Sequence, residues 1–177
     1  MAVIMKYPFI FDEEQAIEAI LYIAQNVQEP TFHRISKVMY FADKAHLEQY
    51  GRFICGDSYV AMKHGPVPLS IYEILKSVRG DGKYLEKANQ AFCVQHKYLV
   101  KPLRQADCDY FSDSDLECLD KAIKEYGTLS FYELTELSHD TAWANADEND
   151  CIELEQMILT FAHPKPLLEH LKNPFPG

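Results

Sequence analysis

Ser138-His139-Asp140 holds the three residue types that a hydrolase uses as nucleophile, base and orienting acid. Adjacent residues cannot hydrogen-bond in series as that relay requires, so the run reads as a helix end with His139 beside the last carbonyls. Gly51-Arg52-Phe53-Ile54-Cys55-Gly56-Asp57-Ser58 has the spacing of a phosphate-cradling loop, but Asp57 stands where a lysine should meet the phosphates. A carboxylate there repels the ligand, and the segment follows a helical pattern, not a strand. Metal-ligand spacing is equally poor. Cys93 and His96 sit on a predicted hairpin with no second pair and only Cys108 nearby, and His163 and His170 lack the H-E-x-x-H spacing of a helical zinc site. His46 stands one step off an apolar helical stripe, where it reads as a satisfied, half-buried side chain. Carboxylates are plentiful, yet nothing in their order places two of them around a substrate. The residues therefore predict no enzyme, no metal and no cofactor.

The elements that would position any site begin from 177 residues, of which 47% are hydrophobic and 25% charged. Such a chain suits one domain that buries roughly 70% of its unfolded surface. The net charge of −10 disfavours a nucleic-acid binder that works by neutralising phosphates. It is unevenly spread: between Gln105 and Thr160 there are fifteen acidic residues and two basic ones, Lys121 and Lys124. Five cysteines with no C-x-x-C pair predict free thiols and a reducing cytoplasm. Met1 to Phe11 does not read as a signal peptide, and no apolar run approaches the ~18 residues of a membrane span.

Helical signals dominate. Asp12 can cap a helix with the stripe Ile17, Ile20, Leu21 and Ala24. After Pro30 and Thr31 a second helix carries Ile35, Val38, Met39 and Ala42, ended by Gly51. Pro66 and Pro68 are expected to open a third, through Ile71, Ile74, Leu75 and Val78 to Gly80. Ser112 with Asp115 resembles a capping box before a fourth helix that Gly127 closes, and Ser130 with Glu133 is a true box for a short fifth through Phe131, Leu134 and Leu137. Leu154, Met157, Ile158 and Phe161 mark a sixth, and Leu167, Leu168 and Leu171 a last turn or two. Pro164-Lys165-Pro166 reads as a turn and Asn173-Pro174-Phe175-Pro176 as a loose tail. Strand signals are confined to Ser58–Lys63 and to a hairpin of Phe92–Val94 with Tyr98–Val100. The expected fold is a mostly helical α+β domain with a small antiparallel sheet of about three strands, its core spanning about 12–160 and an extension over 161–177.

Six segments in order carry a resemblance. They are Val38-Met39-Tyr40-Phe41-Ala42-Asp43-Lys44-Ala45-His46-Leu47, Tyr50 to Asp57, Ala61-Met62-Lys63-His64-Gly65-Pro66-Val67-Pro68 leading to Ile71-Tyr72, Phe111 to Asp115, Tyr126-Gly127, and Leu134 to His139 followed by Ala142-Trp143. Together, from about Ile20 to Ala146, the chain resembles the Panacea domain, the SocA-like or phage-associated GepA-like antitoxin domain. The resemblance implies a toxin-neutralising protein of a bacterial or prophage toxin–antitoxin pair that binds a cognate protein toxin directly. In the family the toxins vary widely, one member delivers its toxin to a protease as an adaptor, and some members carry a DNA-binding segment, for which the helix expected from Asp12 leaves no room here. The partners expected are a toxin, with a cellular protease and a second copy of the chain as further options; neither membrane nor nucleic acid is expected.

Gly65 is expected to turn the chain sharply after a strand and Pro66 to pre-set the next helix. Tyr59, Lys63, His64 and Tyr72 surround that turn and are candidates for partner contact together with Pro66. Tyr40 and Asp43 lie just off the stripe of their helix: Asp43 either pairs with Arg52 or a backbone amide or faces the partner. Trp143 either fills the core or anchors an interface. Asp113, Glu117 and Asp120 represent the acidic half, which would steer a basic toxin surface.

Overall fold

The computed structural model describes residues 7–173. Asp12 accepts from the Gln15 amide and starts α1 (Glu13–Asn26), whose Ile17, Ile20, Leu21 and Ala24 are all buried. Thr31 caps α2 (Phe32–Tyr50) in the same way, and Gly51 ends it in the left-handed conformation at φ 78°. α2 is buried well beyond a single stripe: Ser36, Lys37, Tyr40, Asp43 and His46 lie inside with its apolar residues. It is the central rod of the domain, with α5 (Asp113–Tyr126), α6 (Phe131–Ser138) and a β-hairpin packed around it.

That hairpin pairs β1 (Tyr59–Met62) with β2 (Gly65–Pro68), Ala61 opposite Pro66 and Met62 opposite Gly65. The proline-rich stretch thus departs from expectation. Pro66 is a strand residue, and α3 (Leu69–Arg79) starts only after Pro68. The proline angle near −65° suits a short edge strand as well as a first helical turn, and the missing N–H is tolerated at an edge. The amides at the start of α3 go instead to Asp57, whose carboxylate accepts from Ser58, Ser70 and Ile71 at 2.8–2.9 Å. The residue that spoils the phosphate-loop pattern is a buried helix cap.

After α4 (Glu86–Ala91) a second hairpin pairs β3 (Phe92–Gln95) with β4 (Leu99–Pro102), and His96 and Lys97 turn with positive φ. The strands among the described residues form two separate antiparallel pairs, where a single sheet of about three was expected. Residues 149–152 run beside β1, with bonds between Asn149, Ile152 and the carbonyls of Ala61 and Tyr59 at 2.7 Å. A 3-10 turn at Cys108–Tyr110 leads to α5. Here the Ser112–Asp115 box is complete, whereas Ser130 at the head of α6 accepts from the Glu133 amide without the reciprocal bond, so the box expected there is half formed. Gly127 ends α5 in ordinary helical geometry. α7 (Thr141–Ala144) and α8 (Leu154–Ile158) are short. Phe161 falls beyond α8, and Pro164-Lys165-Pro166 is the first turn of α9 (Pro164–Lys172), since proline fits the first helical positions, rather than a free turn. The tail beginning at Asn173 lies beyond the described residues from 174 on.

Two clusters make the interior. α1, the near half of α2, α3 and α5 share one; Tyr40, Leu47, Phe53, Tyr59 and Ala142 share the other with α8, against which Leu167, Leu168 and Leu171 of α9 pack. No described helix is long and apolar enough to cross a membrane.

Candidate functional site

Four of the eleven expected contact residues, Tyr40, Asp43, Tyr59 and Pro66, are interior. Tyr40 and Asp43 are 0% exposed and Tyr59 1%, so as placed they offer nothing to a partner. They are there because α2 is covered on nearly every side. Asp43 accepts from the Ile54 amide at 2.8 Å and from Tyr59 Oη at 2.6 Å; burial pushes its pKa up to about 7, against the lowering effect of those two donors. The pairing with a backbone amide holds, and Arg52 goes elsewhere, to Asp115 at 3.0 Å. Tyr40 Oη donates to Asp140 at 2.6 Å, and Lys44 meets the same oxygen at 3.0 Å.

The serine–histidine–aspartate run is structural. Ser138 donates to the Thr135 carbonyl, His139 ends α6 and stacks on Trp143 at 3.7 Å, and Asp140 caps α7. Trp143 is half-buried and donates from Nε1 to the Met62 carbonyl at 2.8 Å, which ties α7 to the β1–β2 turn. His46 is fully buried. Its Nδ1 donates to the Arg52 carbonyl at 2.8 Å, which leaves Nε2 to accept from Ser114 Oγ at 2.9 Å. Among the described residues no group of acids, cysteines and histidines could hold a metal.

Lys63, His64 and Tyr72 do come together, with partners that the sequence did not single out. They rim a cleft of about 590 Å³ between the β1–β2 turn, the start of α2, the head of α6 and the loop at Glu148-Asn149. Its walls are aromatic: Phe32, Tyr72, Tyr98 and Phe131. His33 stacks on Phe131 at 3.9 Å and bonds Thr135 Oγ1 at 3.0 Å; burial first, then the nearby Lys37, His64 and Arg34, push its pKa down to about 3, so it is neutral. His64 meets the edge of Phe131 at 5.2 Å. At the base lies Lys37, 1% exposed, whose Nζ donates to the Pro66 carbonyl at 2.9 Å and whose pKa burial pushes down to about 7. Pro66 is itself buried, and its expected partner contact becomes this internal bond. Gly65, at φ 112°, leaves room for the lysine: a Cβ there would stand 2.4 Å from Ser138 Oγ and 2.7 Å from Lys37 Cε.

The site thus joins a hydrophobic wall to one buried amine. Phe131, 52% exposed, carries the apolar surface out of the cleft at the head of α6, and Tyr132 beside it in sequence is 71% exposed. Lys37 was invisible in the sequence because it falls between Ser36 and Val38 on a helix that reads as one-sided. Its only signal was position, two residues beyond Ile35 on a helix that proves buried all round. Asp113, Glu117 and Asp120 lie apart from the cleft, exposed on the outer face of α5, where Tyr50 donates to Glu117 at 2.9 Å and Tyr22 to Asp120.

A family model described as antitoxin SocA-like, Panacea domain, matches residues 35–144, the stretch from α2 to α7 that contains Lys37, both hairpins and α6. The comparisons with curated proteins and with solved structures give no match.

Proposed function

The chain belongs to the SocA-like antitoxin family that carries the Panacea domain, and from that premise we propose that it is the antitoxin of a bacterial or prophage type II pair, neutralising a cognate protein toxin in the cytoplasm by direct binding. The observation that carries the choice of surface is the exposed ring of Phe131 at the head of α6, which lines the cleft rimmed by Lys63, His64 and Tyr72. Large side chains of this kind supply most of the affinity in protein interfaces when their partner desolvates them. The acidic face of α5 is a second, steering element that raises the encounter rate with a basic toxin.

Co-expression with the adjacent gene tests the reading. Growth arrest by that gene alone, relief by the pair, and a stoichiometric complex lost in Phe131→Asp are the expected results. Relief accompanied by disappearance of the toxin would replace masking with delivery to a protease. A harmless neighbour and no complex would overturn the reading.

A further inference from the structure

Lys37 is a buried amine with one partner among the described residues, the Pro66 carbonyl, although an ammonium has three protons to donate. Among the described residues no carboxylate pairs with it, and burial alone accounts for its depressed basicity. When protonated, an amine held this way lacks the counter-charge that buried charges ordinarily have. Its ammonium end lies under Gly65, 3.3 Å from where a Cβ would sit, and both residues line the aromatic cleft.

The lining of that cleft runs against the charge of the chain. Lys37 and Lys63 are its two amines and Glu148 at the rim its one acid, within a protein of net charge −10. Its volume of about 590 Å³ is in the range that takes a small molecule.

We propose that this cleft binds a small organic monoanion, a carboxylate on a flat aromatic body, with the carboxylate on Lys37 Nζ and the body against Phe32, Tyr72 and Phe131. One lysine matches one negative charge; a dianion would leave the second uncompensated in an apolar site. Neutral His33, held by Thr135, adds no charge at the base, while Lys63 attracts the anion at the mouth. The site requires no toxin, so it stands or falls separately from the antitoxin reading.

The test uses the full chain alone, titrated with phenylacetate and indole-3-acetate and, as the uncharged control, phenylacetamide, followed by NMR with 13C-labelled lysine. Saturable binding of the acids is expected, with the amide at least about tenfold weaker, the loss that follows removal of a charge-assisted bond. Lys37→Met keeps the volume and should abolish the preference for the acids. In the unsubstituted chain the Lys37 Cε titration midpoint should move upward when the acid saturates the site, because a bound carboxylate favours the ammonium; this readout serves even where the variant does not fold. Equal binding of acid and amide, an unmoved Lys37 midpoint with ligand bound, or no saturable binding up to about 10 mM would each overturn the proposal.

Discussion

Asp43 of α2 and Tyr59 of β1 meet at 2.6 Å in the interior, the phenol donating to one carboxylate oxygen while the Ile54 amide donates to the other. One buried carboxylate thereby ties the central helix to the hairpin and to the loop that joins them. Tyr40 and Phe53 pack their rings on Tyr59 at 5.1 and 5.7 Å and keep water out.

Removing that carboxylate orphans two donors. Asp43→Ala should cost about 2–4 kcal/mol, while Tyr59→Phe, which loses one bond and leaves the amide paired, should cost about 1 kcal/mol. Asp43→Asn should fall between them. The folded pKa of Asp43 is about 7 against an ordinary 3.8, so the native state holds the extra proton between those values. Its contribution therefore falls as pH rises from about 4 to 7, and Asp43→Asn should remove that slope from urea-unfolding free energies measured across the range.

Lys37 has the opposite sign. Its folded pKa near 7 lies below the ordinary 10.5, so between those values the unfolded chain binds the extra proton and stability rises with pH; below about 7 the full cost of the buried charge is present. Lys37→Met should stabilise the protein by about 1–3 kcal/mol at pH 6 and abolish the rise between pH 7 and 10. Thermal unfolding of both chains across that window checks it; a less stable variant with the slope intact would show that the lysine is not the titrating group.

Gly65 is irreplaceable for two separate reasons. At φ 112° an L side chain is strained, and its Cβ would collide with Ser138 Oγ and Lys37 Cε. Gly65→Ala should cost about 2 kcal/mol or more in denaturant unfolding. Ser138→Gly in the same chain should restore only part of the loss, because the backbone strain persists.

Reversing Asp113, Glu117 and Asp120 to lysine should slow association with a basic toxin by up to about tenfold at low salt and erase its salt dependence, with dissociation little changed. Stopped-flow binding at two ionic strengths reads this. Because Tyr50 and Tyr22 donate to Glu117 and Asp120, Asp113→Lys alone is the cleaner variant: among the described residues its side chain makes no hydrogen bond or ion pair.

Local signals were sufficient wherever an element's start and its buried face depend on neighbours in the chain. Asp12, Thr31, Ser112 and Ser130 each cap the helix that follows, since a side-chain oxygen three residues from an amide reaches it whatever else packs nearby. The hairpin around His96-Lys97 and the stripe of α1 were legible for the same reason. The six ordered segments also carried the family. What the chain alone left open was which side of α2 faces solvent. Its apolar stripe suggested one covered face, and only the packing of α5, α6 and the β1–β2 hairpin buried Lys37, Tyr40, Asp43 and His46 as well. Pro66 was ambiguous because a fixed φ fits strand and helix alike, and the pairing with Ala61 decided it. The cleft exists only because residues about a hundred positions apart, such as His33 and Thr135, meet across α2 and α6. Period and propensity act over a few residues, whereas burial is a property of everything that arrives from elsewhere in the chain.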